Sequence, residues 1–282
     1  MVRLTLIQGD ALKILKHLPS ESVDLVLTDP PYGISSEVVI TRERNPMKFG
    51  KYRGKDIILN FGEWDNFDSD EKYWEFTYSW VDEIIRVLRE GGMFCTFFDR
   101  DKINFVSKYL QDREFKPKGY FAFIKSNPVP QARKVKWMNA WEIIGMWQKK
   151  GGKLTYNYQL GQHPDYIMTS ICQGKERTEH PTQKPIKIAR LFIKYWSNSD
   201  DTILDPFLGS GTTMKACLEL NRNCIGIEIS EDYCENIIIP RLKPLITQTT
   251  LTNIQHNFEY LKFNESKNRL EKILEISNFR RD

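Results

Sequence analysis

The stretch Ser22-Val-Asp-Leu-Val-Leu-Thr-Asp-Pro-Pro-Tyr32 decides how the rest of this sequence is interpreted. Its first half is a run of valine and leucine residues that predicts a short buried strand, and Thr28 to Tyr32 then ends the strand abruptly. Ligands of open α/β sheets bind beyond the carboxyl ends of the strands, so Asp29 lies where chemistry is expected. The alternative interpretation is an Asp-Pro turn that only closes a strand.

The residues after Asp29 suit a planar substrate that carries an exocyclic amino group. Pro30 and Pro31 each lack an N–H and have a fixed φ, so the backbone is stiff and its carbonyl oxygens can accept hydrogen bonds from a ligand. Tyr32 offers a flat face for stacking. Acceptors on both N–H groups of such an amine would localise its lone pair as bonding to an electrophile begins.

Composition limits the classes of protein to consider. A net charge of only +4 over 282 residues means that any affinity for nucleic acid must come from local clusters of basic residues. The five cysteines show no CxxC spacing and the histidines do not gather near them, so we expect neither a metal site nor a disulfide framework. No leader and no membrane-spanning apolar run is evident, so we expect a cytoplasmic protein without a membrane partner.

Strand patterns alternate with helix patterns along the chain, which predicts βαβ units and a mainly parallel sheet. The first strand pattern, residues 3–8, leads through Gly9-Asp10-Ala11 into a helix pattern. Asp10 therefore lies at a second strand end. An N-cap of the following helix is the alternative role for its carboxylate.

A second glycine-rich stretch, residues 202–213, predicts a strand, a tight turn and the start of a helix. Glycine lets the backbone approach a ligand, and a helix N-terminus offers N–H groups to an anion. A phosphate-binding P-loop is excluded because this turn contains no lysine, and a dinucleotide fingerprint is excluded because Met214 stands where the third glycine belongs.

The strand pattern after this turn ends in Glu228, 19 residues beyond Gly209. A carboxylate in that place suits the two ribose hydroxyls of a cofactor that contains adenosine. S-adenosylmethionine has a ribose but no pyrophosphate, and therefore fits better than NAD. The alternative is a glycine turn of any doubly wound fold with an incidental acid at a strand end.

Three motifs together resemble the amino-directed DNA methyltransferases: Thr28-Asp-Pro-Pro-Tyr32, His180-Pro-Thr-Gln-Lys-Pro185 and Asp205-Pro-Phe-Leu-Gly-Ser-Gly-Thr212. The catalytic motif precedes the cofactor motif, as in the circularly permuted β group of that family. The stretch from Ser126 to Pro130, with Asn139 and Glu142, is similar to the cell-cycle adenine methyltransferase type. The resemblance implies a Rossmann-like S-adenosylmethionine-dependent methyltransferase fold, mainly parallel, with one antiparallel strand and helices on both faces.

The resemblance also implies roles for individual residues. Asp29 would accept from the target amino group with help from the Pro30 carbonyl, and Tyr32 would stack on a flipped base, so the catalytic residues are Asp29, Pro30, Pro31 and Tyr32. The residues expected to bind S-adenosylmethionine are Asp10, Ala11, Thr182, Gln183, Lys184, Asp205, Phe207, Gly209, Ser210, Gly211, Thr212 and Glu228.

Two basic segments are the expected DNA contacts. Residues 33–67 are interpreted as a mobile basic flap and residues 126–179 as a DNA-recognition insert, and residues 125–150 hold six basic residues and one acidic residue. Basic residues among tryptophans suit phosphate neutralisation and stacking. The predicted DNA-binding residues are Arg42, Arg44, Lys51, Arg53, Lys125, Asn127, Arg133, Lys134 and Lys136.

The expected organisation is a catalytic domain over residues 1–245 and a C-terminal tail over 246–282. Leu270, Ile273 and Leu274 are spaced as on an amphipathic helix, which we predict over Glu265 to Ser277. This helix would pack on the domain or pair two subunits.

The predicted reaction is site-specific methylation of duplex DNA at adenine N6 of a flipped base. The alternatives are cytosine-N4 methylation, a non-catalytic DNA-binding protein, and an RNA or protein methyltransferase on the same fold. A homodimer and a separately acting restriction endonuclease are left open as partners.

Overall fold

A computed structural model describes residues 1–33, 39–40, 57–58, 67–130, 135, 137–247 and 255–277. The strands in these ranges are β1 (Val2–Gln8), β2 (Val23–Thr28), β3 (Val39–Ile40), β4 (Ile57–Ile58), β5 (Leu88–Phe98), β6 (Phe115–Lys125), β7 (Trp141–Lys149), β8 (Tyr166–Thr169), β9 (Thr202–Asp205), β10 (Asn223–Glu228), β11 (His256–Asn264) and β12 (Arg269–Ser277). The helices are α1 (Ala11–Leu15), α2 (Asp70–Val87), α3 (Ile103–Gln111), α4 (Ile186–Trp196), α5 (Thr212–Leu220) and α6 (Ile239–Thr247).

Ten of these strands form one sheet in the order β12-β11-β1-β10-β9-β2-β5-β7-β6-β8. Most neighbours are parallel, but β7 runs against β5 and β6, and β12 runs against β11. The sequence predicts one antiparallel strand, so that detail is wrong. The second such strand lies in the segment for which a helix was expected.

The strands are covered on both faces, as their side-chain pattern requires. In β2, Leu25 and Leu27 pack with α4, α5 and α6, whereas Val26 packs on the other face with α1, α2 and α3. Side chains of successive strand residues point to opposite faces, so a strand buried on both sides has a nearly continuous run of apolar residues. The run of valine and leucine before Asp29 is therefore a central strand, as predicted.

The predicted helix over Glu265 to Ser277 is wrong, because these residues form a turn and then β12. The register of β12 against β11 shifts at Ile273: Leu274 pairs with Tyr260, but Lys272 pairs with Leu261. This β-bulge interrupts the alternation of two that marks a strand. As a result, the apolar residues Leu270, Ile273 and Leu274 have the spacing that is typical of an amphipathic helix.

The hairpin of β11 and β12 belongs to the same sheet as the rest of the described chain, because β11 pairs in parallel with β1. The side chains of Phe258 and Tyr260 on β11 are buried in the core that α4, α5 and α6 share. Residues 256–277 therefore complete the sheet rather than form a separate tail.

The predicted flap and insert are described in part. Within residues 33–67, β3 and β4 pair antiparallel as a small second sheet. Within the insert, β8 adds a parallel edge strand to β6. No helix in the described ranges is long and apolar enough to cross a membrane.

Candidate active site

A cleft of about 1490 Å³ opens at the carboxyl edge of the central strands. Asp29 follows β2, while Asp205 and Glu228 end β9 and β10. Since these strands are neighbours and parallel, their ends bring the three carboxylates into one cleft. All the predicted catalytic and cofactor-binding residues line this cleft except Gly211, which is the N-cap of α5.

Both carboxylate oxygens of Asp29 have partners in the protein. The ammonium of Lys184 donates to Oδ2, and the hydroxyl of Tyr32 donates to Oδ1. Burial raises the pKa of Asp29, and this outweighs the lowering by Lys184. Burial, together with the charge of Asp29, also raises the pKa of Tyr32 well above its usual value, so this hydroxyl keeps its proton.

Lys184 lies between two carboxylates. Its Nζ contacts Asp29 and lies 3.4 Å from Oε2 of Glu142, whose Oε1 lies 2.7 Å from Nζ of Lys125. Burial alone would lower the pKa of Lys184, but the charges of Asp29 and Glu142 prevail and raise it. Burial likewise opposes ionisation of Glu142, but the two lysines prevail and lower its pKa.

The glycine turn after β9 has the backbone conformation that its sequence predicts. Gly209 and Gly211 have φ values of +54° and +78°, in the left-handed region that favours glycine. A Cβ atom on Gly209 would lie 2.9 Å from Nε2 of His180. The turn therefore needs glycine both for its conformation and for its close approach to the His180 ring.

Both carboxylate oxygens of Glu228 accept backbone hydrogen bonds. Its Oε2 accepts from the N–H of Gly209 at 2.7 Å, and its Oε1 accepts from the N–H of Ser230 at 2.9 Å. Burial raises the pKa of Glu228 to about 7, although these N–H groups lower it in part. Its charge therefore changes near neutral pH.

Asp205 holds the ends of two strands together. Its Oδ1 accepts from the hydroxyl of Thr28 at 2.7 Å and from the N–H of Phe207 at 3.2 Å. Burial raises the pKa of Asp205 to about 6, against the lowering by hydrogen bonds from Thr213 and Thr28. The contact links the strand before Asp29 directly to the strand before the glycine turn.

The family model described as DNA methylase matches residues 23–239. The chain belongs to the N6/N4 DNA methyltransferase family. The family is S-adenosylmethionine-dependent.

Two bacterial relatives support this membership. Type II methyltransferase M.HinfI of Haemophilus influenzae is 31% identical over 246 residues, which are 82% of this chain and 66% of the relative. Type II methyltransferase M2.MboI of Moraxella bovis is 30% identical over 243 residues, which are 81% of this chain and 84% of the relative.

Solved structures share the fold of this N6/N4 DNA methyltransferase. The complex of M1.HpyAVI with S-adenosylmethionine has a TM-score of 0.65 at 24% identity, covering 85% of this chain and 98% of that one. The cytosine-N4-specific PvuII DNA methyltransferase has a TM-score of 0.63 at 18% identity, covering 86% and 92%. The Rossmann-like methyltransferase fold is thereby confirmed.

The cleft of the methyltransferase has suitable groups for S-adenosylmethionine. Glu228 offers a carboxylate beside the glycine turn, and Ile229 next to it is an exposed apolar residue that lines the same cleft. A ribose diol at Glu228 and an adenine ring against Ile229 match this pair of residues. The volume of the cleft exceeds the range of about 300 to 1,000 Å³ for a single small ligand, so a base can be accommodated as well.

Other predicted cofactor residues have structural partners. Asp10 caps α1, since its Oδ1 accepts from the N–H of Leu12 at 2.8 Å, but it also lines the cleft. The side chain of Gln183 is engaged within its own loop: it accepts from Thr178 and donates to the carbonyl of Glu176 at 2.8 Å. Asp10 therefore acts as the N-cap of α1 and also lines the cleft.

The predicted DNA contacts divide into two groups. Arg42, Arg44, Lys51, Arg53, Arg133, Lys134 and Lys136 lie outside the described residues. Lys125 is paired with Glu142 inside the cleft, and Asn127 accepts from the N–H of Ile171 at 2.9 Å. Trp137, with 95% of its surface exposed, and Trp141 line the mouth of the cleft, whereas Trp147 is buried.

Three residues of the site were missing from the predicted set. Glu142 pairs with Lys184, Lys102 donates to the carbonyl oxygen of Tyr32 at 2.8 Å, and the buried His180 ring packs against Gly209. Burial lowers the pKa of His180 to about 4, with a further contribution from Lys184. His180 was detectable as the first residue of its motif, but Lys102 carries no signal in the sequence.

Proposed function

We propose that this protein methylates adenine N6 in duplex DNA, with S-adenosylmethionine as the methyl donor. The observation that carries the proposal is that Asp29 and the glycine turn with Glu228 share one cleft, although they lie far apart in the sequence. The aspartate in Asp-Pro-Pro-Tyr favours adenine by resemblance to its family. Cytosine N4 is the second candidate, because a cytosine-N4-specific enzyme has the same fold.

The residues of the chain have defined tasks in this reaction. Glu228 and the turn from Phe207 to Thr212 would hold the cofactor, which supplies an electrophilic methyl group on a sulfonium. Asp29 accepts one N–H of the target amine and the Pro30 carbonyl accepts the other, which localises the lone pair on nitrogen. Tyr32 stacks on the base, which must leave the helix because a paired amine cannot present its lone pair.

We further propose that the enzyme acts in the cytoplasm, as its bacterial relatives and a DNA substrate suggest. Duplex DNA is the proposed partner, contacted by the basic segments around residues 42–53 and 125–136. A homodimer and a separate restriction endonuclease stay predictions.

The test is transfer of a labelled methyl group to unmodified duplex DNA, followed by nucleoside analysis of the product. We expect N6-methyladenine with the wild type and none with Asp29→Ala, which should still bind the cofactor. N4-methylcytosine would show that the second candidate, cytosine-N4 methylation, is correct instead. Transfer only to RNA or protein, or none with the cofactor bound, would refute the proposal.

A further inference from the structure

Four charged side chains form a continuous row from the insert to the catalytic motif: Lys125, Glu142, Lys184 and Asp29. They come from the end of β6, the start of β7, the segment before α4 and the end of β2. Their side chains retain only 14%, 23%, 16% and 24% of their exposure. Charges this far from water persist only when they are paired, and here the signs alternate.

The main chain of Lys184 also contacts the turn that is expected to bind the cofactor. The hydroxyl of Thr212, the first residue of α5, donates to the carbonyl oxygen of Lys184 at 3.3 Å. The side chain meanwhile reaches Asp29 and lies 4.9 Å from the ring centroid of Phe97. The ammonium thus points at the catalytic carboxylate rather than at the glycine turn.

The two oxygens of Asp29 are held by partners of different kinds. Oδ2 is paired with Lys184, which Glu142 holds from behind. Among the residues that the structure describes, Oδ1 accepts a hydrogen bond only from the neutral hydroxyl of Tyr32. Both bonds have an ionised acceptor, but only Lys184 adds the attraction of an opposite charge, so an incoming amine displaces the hydroxyl more easily than the ammonium.

We propose that Lys184, held in place by Glu142, is a positioning residue that fixes Oδ2 of Asp29 and so directs Oδ1 to the target amine. This proposal rests on the proposed function, which identifies the amine as that of the target base. It differs from the cofactor-binding role expected for Lys184, and it assigns a role to Glu142.

The arrangement has a signature in the titration of Asp29. The groups that face this carboxyl are Lys184, Glu142, Tyr32 and Asp205, with Lys125 behind Glu142 and Lys102 at the carbonyl of Tyr32. Lys184 lowers the pKa of Asp29 against the dominant effect of burial, whereas Glu142 raises it. Removing either partner should therefore shift the same pKa in opposite directions.

The experiment measures this pKa directly, by carbon-13 NMR of protein labelled at the aspartate carboxyl, with Asp29→Asn to assign the signal. Lys184→Met should raise the pKa of Asp29 by about 1 to 3 pH units, the effect of one close opposite charge. Glu142→Gln should lower it, because a like charge is lost and Lys184 is no longer shared. Lys184→Arg should restore the wild-type value, and Lys272→Met, which breaks a distant pair with Glu259, should not alter it.

Activity gives a second reading of the same variants. The acid limb of the kcat profile should move to higher pH in Lys184→Met and to lower pH in Glu142→Gln, while the cofactor Kd stays within about twofold. An unshifted pKa of Asp29 in both variants, or a cofactor Kd raised tenfold in Lys184→Met, would overturn the proposal. If Lys184→Met does not fold, Glu142→Gln alone decides. Absence of methyl transfer by the wild type would refute the proposed function, but the NMR titration would still decide the pairing.

Discussion

The charge of Glu228 should make binding of adenosine-containing ligands depend on pH near neutrality. In the proposed cofactor site the ribose hydroxyls would donate to this carboxylate, so we expect the ionised form to bind. With a pKa of about 7, raised by burial, Glu228 is mostly protonated at pH 6 and mostly ionised at pH 8. If only the ionised form binds, the apparent Kd should be about tenfold higher at pH 6 than at pH 8.

The probe for this prediction is 5′-methylthioadenosine, which has the ribose and adenine but no amino acid group. This choice matters because an α-amino group titrates near pH 7.7 to 8.0 and would add its own pH dependence. Isothermal titration calorimetry at pH 6, 7 and 8 gives the Kd values. Glu228→Gln should remove the pH dependence and weaken binding at pH 8 by about 10- to 150-fold, the loss of a charged hydrogen bond.

Asp205 supplies the control, because its pKa of about 6 also lies in this range. Asp205→Asn keeps an oxygen to accept from Thr28 and Phe207, and we expect the pH dependence to persist but to move to lower pH, because the charge of Asp205 contributes to the raised pKa of Glu228. His180, whose pKa is about 4, stays neutral throughout. A wild-type Kd that changes less than twofold between pH 6 and 8, or a Glu228→Gln variant that keeps the dependence, would refute the reasoning.

Two further substitutions test the turn and the catalytic motif. Gly209→Ala should lose about 1 to 2 kcal/mol of stability because of its left-handed backbone, and it should also lose ligand binding because the new Cβ collides with His180. The control is Gly174→Ala, at a φ of +55° with open space around it, which should lose stability alone. Thermal unfolding measures the stability and calorimetry measures the binding, and wild-type binding by Gly209→Ala would contradict this prediction. Tyr32→Phe should keep kcat/KM for duplex DNA within about threefold because the ring remains. Tyr32→Ala should lower kcat/KM, because it loses a stacking free energy of about 1 to 3 kcal/mol. Equal losses of kcat/KM in the two variants would contradict a stacking role.

The sequence predicted the parts of the site that depend on short local patterns. Asp29, Asp205 and Glu228 each stand at the end of an apolar run, and parallel strands bring such ends to one edge. The pairing of Lys184 with Asp29 could not be predicted in this way, because it joins residues 155 positions apart through long side chains. Glu142 and Lys102 were missed for the same reason.

The fold was predicted well where strands are buried on both faces and poorly where they are not. The central strand β2 has apolar residues at four of its six positions, including three in succession from Leu25 to Leu27, so its pattern is clear. In β12 only part of the apolar side chains pack on the core, and the bulge at Ile273 breaks the alternation on which the prediction depends. Local spacing then favoured a helix, although pairing with β11 determines the conformation.

The position of β1 in the sheet has a consequence for synthesis on the ribosome. Both neighbours of β1 come from much later in the chain, since β10 begins at Asn223 and β11 at His256. At 5 to 20 residues per second, β1 waits roughly 10 to 40 seconds after its own synthesis before its first partner exists. During that time its two hydrogen-bonding edges are open to other chains, which makes this strand a natural site for chaperone binding to the nascent protein.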